Sequence, residues 1–529
     1  MTTTAGVGVL LRLIARRERI RTPAAVVVCV GLLAITGASI ASLYSKQADR
    51  VALQQQSRST AAFRLLLGPL DTIDSTAGIA SWRIGLFLMV VVGVVVALTV
   101  TRNLRAPEQA GQTELLRAGA VGRCAPLYAA VIWAAGTAAI IAAGVGVVTA
   151  ALGAPGAAAA AVTGQYLIVG LGAVGLATMS NELLVGARDA SLAAVGVIVG
   201  GYVLRGLGDM ESGMSWLRWV SPVGWAQAVQ PFTERRALPM VLAAALMVIG
   251  MLVAARVSAR RDLGQGAFPT RPGPAGSTVL RSYPVFAVRS VGRQMAPWVG
   301  GAFAYAILLG TVLGSATDLI DDSGPLADVI KRLGGADTIV NALVGTVLGI
   351  IAILAGVAAL IVMLRSRSDE NAGRTELILS TAVSRRRHLL TSAALAAGAC
   401  TLILLAAGVG IVFGHTLSPG SADIATSSVL VRAVAQVPGT LVIAALAVAF
   451  YAHSARAVGW MWVVVIADTV VGQLGSVLQL PQWVRDIAPH SHIRPDGTID
   501  TLAVVVLLVV AVVVVVVADH RFARRDIPG

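Results

Sequence analysis

Ala110–Arg123 reads AGQTELLRAGAVGR, and 262 residues later Ala372–Arg385 reads AGRTELILSTAVSR, with eight of fourteen positions identical. The echo returns at the end of each half, where Ala259–Leu263 is ARRDL and Ala523–Ile527 is ARRDI. Ser221-Pro222 and Ala488-Pro489 each precede the last apolar run of their half at nearly the same spacing. A segment that recurs together with its surroundings marks a duplicated unit, so the chain reads as two copies of one architecture. Both copies of the quoted segment stand between long apolar runs. Those runs decide the fold class.

A bilayer core of roughly 30 Å needs about 20 apolar residues in a helix. Such runs occur at Pro23–Tyr44, Arg83–Val100, Ala125–Leu152, Ala157–Ser180, Ala190–Leu207 and Pro239–Val257 in the first half. The second half supplies Pro297–Ala316, Ile339–Leu364, Leu389–Phe413, Val429–Tyr451, Val458–Leu478 and Thr501–Ala518. The expectation is an all-α polytopic membrane protein with twelve transmembrane helices in two parallel six-helix repeats. An even number of spans per half is what makes the repeats parallel. The predicted domains are residues 1–259, a Pro/Gly-rich basic linker over 260–280, and residues 281–529. With the N-terminus placed inside, the basic excess falls on the inner loops and the outer set is close to neutral. By the positive-inside rule both termini are then cytoplasmic.

Composition agrees and removes other classes. Of 529 residues, 56% are hydrophobic and 13% charged, too few charges to coat a soluble globule of that size. The net charge of +14 would suggest nucleic acid only on a soluble basic face, which is not expected here. Only Lys46 and Lys331 are lysines, preceded by Ser45 and Ile330, so no Gly-Lys-Ser/Thr phosphate loop exists in the sequence. Any ATP used must be hydrolysed on another polypeptide. Cys29, Cys124 and Cys400 have neither paired nor CxxC spacing, which argues against disulfide and metal alike.

Four kinds of segment are candidates for function. Val7–Arg21 is amphipathic, with Val7, Leu10, Leu11 and Ile14 on one face and Arg12, Arg16 and Arg19 on another, as in a helix lying at the headgroup plane. Tyr283–Arg293 is a weaker second version. The repeated loop between the second and third spans of each half predicts a short cytoplasmic helix, opened by Pro107 in the first copy and supported by an i,i+3 pair of Glu114 with Arg117. It can pass the push of a bound partner to the adjoining spans. Met214–Phe232 and Leu480–Pro495 mix Trp and Pro with short apolar pieces on the outer side, as re-entrant segments do. Asp468 sits inside a span, where an unpaired carboxylate costs about 2.5–3.5 kcal/mol. Both a structural hydrogen bond and a substrate contact are open to it. Glu182 and Arg188 are expected to be solvated at the turn after the fourth span. Trp460, Met461 and Trp462 suit either a bulky apolar ligand or lipid, and the pair His490 and His492 lacks a third metal ligand nearby.

Taken together, the amphipathic leading helix, the six spans, the E-x-A-G-x-T-E-L-L run of Glu108–Leu116 and the S-P-x-G-W of Ser221–Trp225 resemble a known family. It comprises the permeases of actinobacterial polyketide-antibiotic exporters of the tetronasin-resistance type, which are ABC transporters of the type-2 exporter fold. The second copy runs Glu370–Ile378, ending in Ile, and Ala488-Pro489-His490 replaces the S-P-x-G-W pattern. The resemblance implies a permease in a bacterial inner membrane that exports hydrophobic or amphipathic drugs, with no cofactor of its own. ATP and magnesium would sit on two copies of a separately encoded ATPase. Coupling would fall to Glu108, Thr113, Glu114, Leu115 and Arg117, and to Glu370, Thr375, Glu376 and Leu377. A substrate pathway between the halves, lined by the second and fifth span of each, would include Asp468, with Trp460, Met461 and Trp462 close by; an outer gate would be formed by Ser221, Pro222, Trp225 and Pro489. The rival class is a proton-coupled secondary multidrug transporter, which needs membrane carboxylates that this chain hardly offers beyond Asp468.

Overall fold

A computed structural model describes residues 4–59, 61–70, 72–119, 121–210, 212–268, 280, 282–321, 335–417, 425–474, 481–485, 488–492 and 501–526. Among the described residues all regular structure is helical. The chain divides into two compact units, Met1–Gly273 and Pro274–Gly529. The first contains α1 (Val7–Glu18), α2 (Arg21–Leu43), α3 (Gln47–Ser59), α4 (Ala61–Leu67), α5 (Thr76–Asn103), α6 (Arg105–Gln109) and α7 (Gln112–Arg117). It continues with α8 (Ala125–Ala151), α9 (Gly156–Leu183), α10 (Ala187–Met210), a 3₁₀ stretch over Ser212–Val220, α11 (Pro222–Gln227) and α12 (Leu238–Arg260). The second contains α13 (Tyr283–Asp321), α14 (Gly335–Asn371), α15 (Arg374–Leu379), α16 (Arg385–Leu417), α17 (Thr426–Ala435) and α18 (Val437–His453). It ends with α19 (Met461–Leu474), α20 (Gln482–Arg485), a 3₁₀ turn at Pro489–His492 and α21 (Thr501–Arg524).

Among the described residues ten helices are long and apolar enough to cross a bilayer, six in the first unit and four in the second. The protein is therefore a multi-pass membrane protein. The two other expected spans fall on α13, a 39-residue helix with Pro297 inside it, and on the shorter apolar stretch Ala457–Gly472. Residues 475–478 of the expected eleventh span, most of the expected linker and Ile527 lie outside the described residues.

Local chemistry sets the helix ends. The Ser75 hydroxyl accepts the Gly78 N–H at 3.0 Å and opens α5, and Pro in the first turn opens α8 and α11. Burial then sorts the helices. In the first unit α5 and α9 are mostly buried while α2 and α12 keep most of their surface exposed; in the second, α14 and α18 are central and α21 is peripheral. Helix α21 is valine-rich on every face and still exposed, which water would not tolerate and lipid does. Where α9 crosses α12 the backbones touch: a Cβ on Gly250 would lie 2.5 Å from the Gly175 carbonyl oxygen. Small residues permit that approach.

Candidate functional site

The repeated loop folds the same way in both units. After α6 the chain reverses at Gly111, whose φ of 71° is left-handed, and α7 begins; the second unit does the same at Gly373, with φ 70°, ahead of α15. L-residues avoid that region, so the recurring glycine is a geometric requirement. Each short helix then turns its Thr inward and its Glu-Leu outward. Thr113 and Thr375 are buried, whereas Leu115 is 79% and Leu377 70% exposed, with Glu114 and Glu376 exposed beside them. The amphipathic α1 lies against this loop. Leu10 and Ile14 pack with Leu116, Val121, Ala125 and Ala129, and Arg17 donates to the Gln112 side chain at 2.8 Å.

The other half of the motif is held inside. Glu108 meets the Arg261 guanidinium through two bonds of 2.5 and 2.9 Å, Arg105 at 2.9 Å and the Gly264 N–H at 2.8 Å. Arg261 also binds Glu182 at 2.5 Å. Burial works against the charge of Arg261, but the two carboxylates outweigh it and raise its pKa above the ordinary guanidinium value. Arg123 donates to the carbonyls of Ser258 and Arg261 at 3.0 and 2.9 Å. The second unit repeats the arrangement: Glu370 pairs with Arg525, and Arg385 donates to the Arg525 carbonyl. Where the first unit has Glu182, the second lays Arg525 over the rings of Tyr451 and Phe522, 5.4 Å from each centroid. The repeated loop and the repeated ARRD sequence are thus partners. Together they clamp the loop to the end of the last helix of the same unit.

This revises several expectations. Glu108 and Glu370, expected at a coupling surface, are buried in the clamp that holds the loop. Glu182, expected in solvent, is 1% exposed because Arg261 has drawn it in. Arg117 donates to the Arg123 carbonyl at 2.8 Å, in place of the expected bond to Glu114.

At the opposite end of the first unit, Ser221 caps α11 by accepting the Gly224 N–H at 3.4 Å, with Pro222 buried behind it. The Trp225 indole donates to the Trp219 carbonyl at 2.7 Å, and the Gln165 amide to that of Ala226 at 2.9 Å. A wholly buried Arg205, which the sequence reading missed within its fifth span, pairs with Asp209 at 2.9 Å and reaches Gln227 at 3.3 Å and the Leu65 carbonyl at 2.6 Å. Arg218 closes the group on Asp209 at 2.7 Å. In the second unit Asp468 finds His490 at 2.6 Å, both buried, in the turn that begins at Pro489. Each unit therefore ties its fifth-position helix to the segment before its last helix through a buried polar contact. The expected pathway set divides: Met461 and Asp468 face inward on α19, while Trp460 and Trp462 are exposed. The rest of the Leu480–Pro495 segment lies outside the described residues, apart from residues 481–485 and 488–492, among which Trp483 is exposed. Among the described residues no group of three or more His, Cys, Asp or Glu is arranged to hold a metal ion.

Residues 280–522 match the family described as the C-terminal domain of the multidrug efflux system permease Rv1217c. That match contains Glu370, Glu376, Asp468 and His490 and stops short of Arg525. Over 507 residues the chain is 29% identical to the multidrug efflux system permease protein Rv1217c of Mycobacterium tuberculosis (strain ATCC 25618 / H37Rv), covering 94% of this chain and 90% of the relative.

Proposed function

We propose that the chain is the membrane permease of an ATP-driven ABC exporter, moving hydrophobic or amphipathic drugs out across a bacterial inner membrane. Its twelve spans form two parallel halves with both termini in the cytoplasm. Two copies of a separate ATPase dock on α7 and α15, where Glu114-Leu115 and Glu376-Leu377 make the contact, and ATP and magnesium stay on those subunits. The observation that carries this reading is the twofold recurrence of an exposed Glu-Leu on a short helix whose other side is clamped. A leucine left 70–79% exposed beside a free carboxylate is a ready contact for a partner with an apolar pocket and a cation. The relative's name, a multidrug efflux system permease, supports the cargo class.

The buried Asp468–His490 pair favours a second reading, proton-coupled export, because it sets a carboxylate and an imidazole together on an apolar helix. Reconstituted vesicles separate the two. Export that requires ATP and the partner ATPase, and survives a protonophore, supports the ABC reading. Export driven by a pH gradient with no ATPase present would replace it.

A further inference from the structure

The second unit has two apolar furrows that meet under a pair of arginines. The first, of about 560 Å³, runs between α13 and α16, with Pro284 and Val288 on one wall and Thr391 and Leu395 on the other; Arg386 and Arg387 stand at its mouth. The second, of about 330 Å³, lies where α16 meets α18 and α21, bounded by Ala397, Leu441, Val448, Leu508 and Val515. Leu390 and Ala394 line both, so this ridge of α16 separates two furrows that adjoin one helical turn from Arg386. Positions 386, 390 and 394 follow the i,i+4 row of the helix. From Arg387 to Ala397 the helix advances about 15 Å, the depth of one leaflet's hydrocarbon layer.

Two charged side chains, Arg386 and Arg387, line the first furrow. Arg385 is turned inward to the Arg525 carbonyl. Arg386 is exposed and shares its charge with Asp519 at 3.1 Å, and Arg387 is exposed beside it. The balance of Arg386, Arg387 and Asp519 is one positive charge, placed where an apolar trough reaches the end of a membrane helix. A singly charged amphiphile with two chains matches that pattern, whereas a free anion would leave both furrows open and a peptide would add unpaired backbone to them.

We propose that this is a site for one anionic phospholipid, its phosphate on Arg387 and Arg386 and one acyl chain down each side of α16. The proposal needs only that α16 crosses the bilayer; it does not depend on the export reading. The full-length protein is reconstituted with phosphatidylglycerol and phosphatidylcholine of identical chains, and the lipid retained after extraction is read by native mass spectrometry. Wild type should retain phosphatidylglycerol over phosphatidylcholine on the order of ten-fold, the scale of one or two basic groups at a lipid surface. Arg387→Gln, which leaves the Arg386–Asp519 pair in place, should remove most of that preference, and Asp519→Asn should increase it. Ala394→Trp, filling both furrows under unchanged charges, should lower retention of both lipids. Equal retention of the two lipids by wild type, an unaltered preference in Arg387→Gln, undiminished retention in Ala394→Trp, or displacement of the lipid by millimolar inorganic phosphate would each overturn it.

Discussion

Two glutamates six residues apart in each copy of the loop have opposite duties. Glu108 and Glu370 are buried against Arg261 and Arg525, and Glu114 and Glu376 stand in the open. Removing one member of a buried pair costs roughly 3–5 kcal/mol, because the other charge is left uncompensated. Exposed carboxylates contribute about 0–1 kcal/mol. Thermal unfolding of the purified protein should therefore show a large loss for Glu370→Ala, which strands Arg525, a large one for Glu108→Ala, which strands the buried Arg105 although Arg261 keeps Glu182, and almost none for Glu114→Ala. Equal melting of all three would refute the clamp. Asp468→Asn retains a hydrogen-bonding oxygen for His490 and should fold, whereas His490→Ala strands a buried carboxylate and should melt earlier. If Asp468 also meets cargo, Asp468→Asn should depress export of cationic drugs more than of neutral ones, and an equal loss for both favours the purely structural role. Both partners of the clamp were visible in the sequence as repeats, at offsets differing by two residues. Their pairing was not, because Glu108 and Arg261 are 153 positions apart and only folding brings them together. The available signal was charge complementarity between two motifs duplicated in step.

At the scale of elements, the reversal into α7 and α15 turns on Gly111 and Gly373. A Cβ on either would meet nothing within 4 Å, so alanine there tests backbone geometry alone, at about 1–2 kcal/mol for a left-handed L-residue. Gly111→Ala and Gly373→Ala should shift melting little and tilt the short helix. Substrate-stimulated ATP hydrolysis with the proposed ATPase partner present should then fall several-fold while basal hydrolysis holds. Unchanged stimulation would separate helix placement from coupling. Hydropathy read most spans closely: Ala125–Leu152 was expected and Ala125–Ala151 is helical. It read others short. The second span was placed from Arg83, but α5 begins at Thr76 because Ala77, Ile79 and Ala80 are packed in the unit's interior. An apolar scan sees the part a lipid would touch, and stops at an exposed arginine that helical hydrogen bonding passes over. The clasps at the opposite end were less legible still, since Arg205 near the end of one helix gains its meaning from Asp209, Gln227 and the Leu65 carbonyl.

For the molecule as a whole, sidedness and stoichiometry are the properties that follow from two copies of one plan. With Cys29, Cys124 and Cys400 replaced, a cysteine at the exposed Gln55 should react with an impermeant thiol reagent in whole cells, and one at the exposed Gln112 only after the membrane is opened. The opposite pattern would invert the topology. On the proposed topology each unit would offer one clamped helix to the cytoplasm and one chain would have two docking places, and with no phosphate loop of its own the purified chain should hydrolyse no ATP. Native mass measurement of the proposed complex should find one copy of this chain with two ATPase subunits. The two places are not equal. α7 is braced by α1, through Arg17 on Gln112, and its clamp holds two carboxylates, whereas the second clamp holds one carboxylate on an Arg525 that lies over two aromatic rings. A more loosely braced helix transmits less of the force applied to it, so Glu114→Ala should cut drug export in reconstituted vesicles more than Glu376→Ala. The double replacement should abolish export while melting stays near wild type. A one-to-one complex, equal losses from the single replacements, or export by the double variant would show that the duplicated helices do not act as two unequal levers.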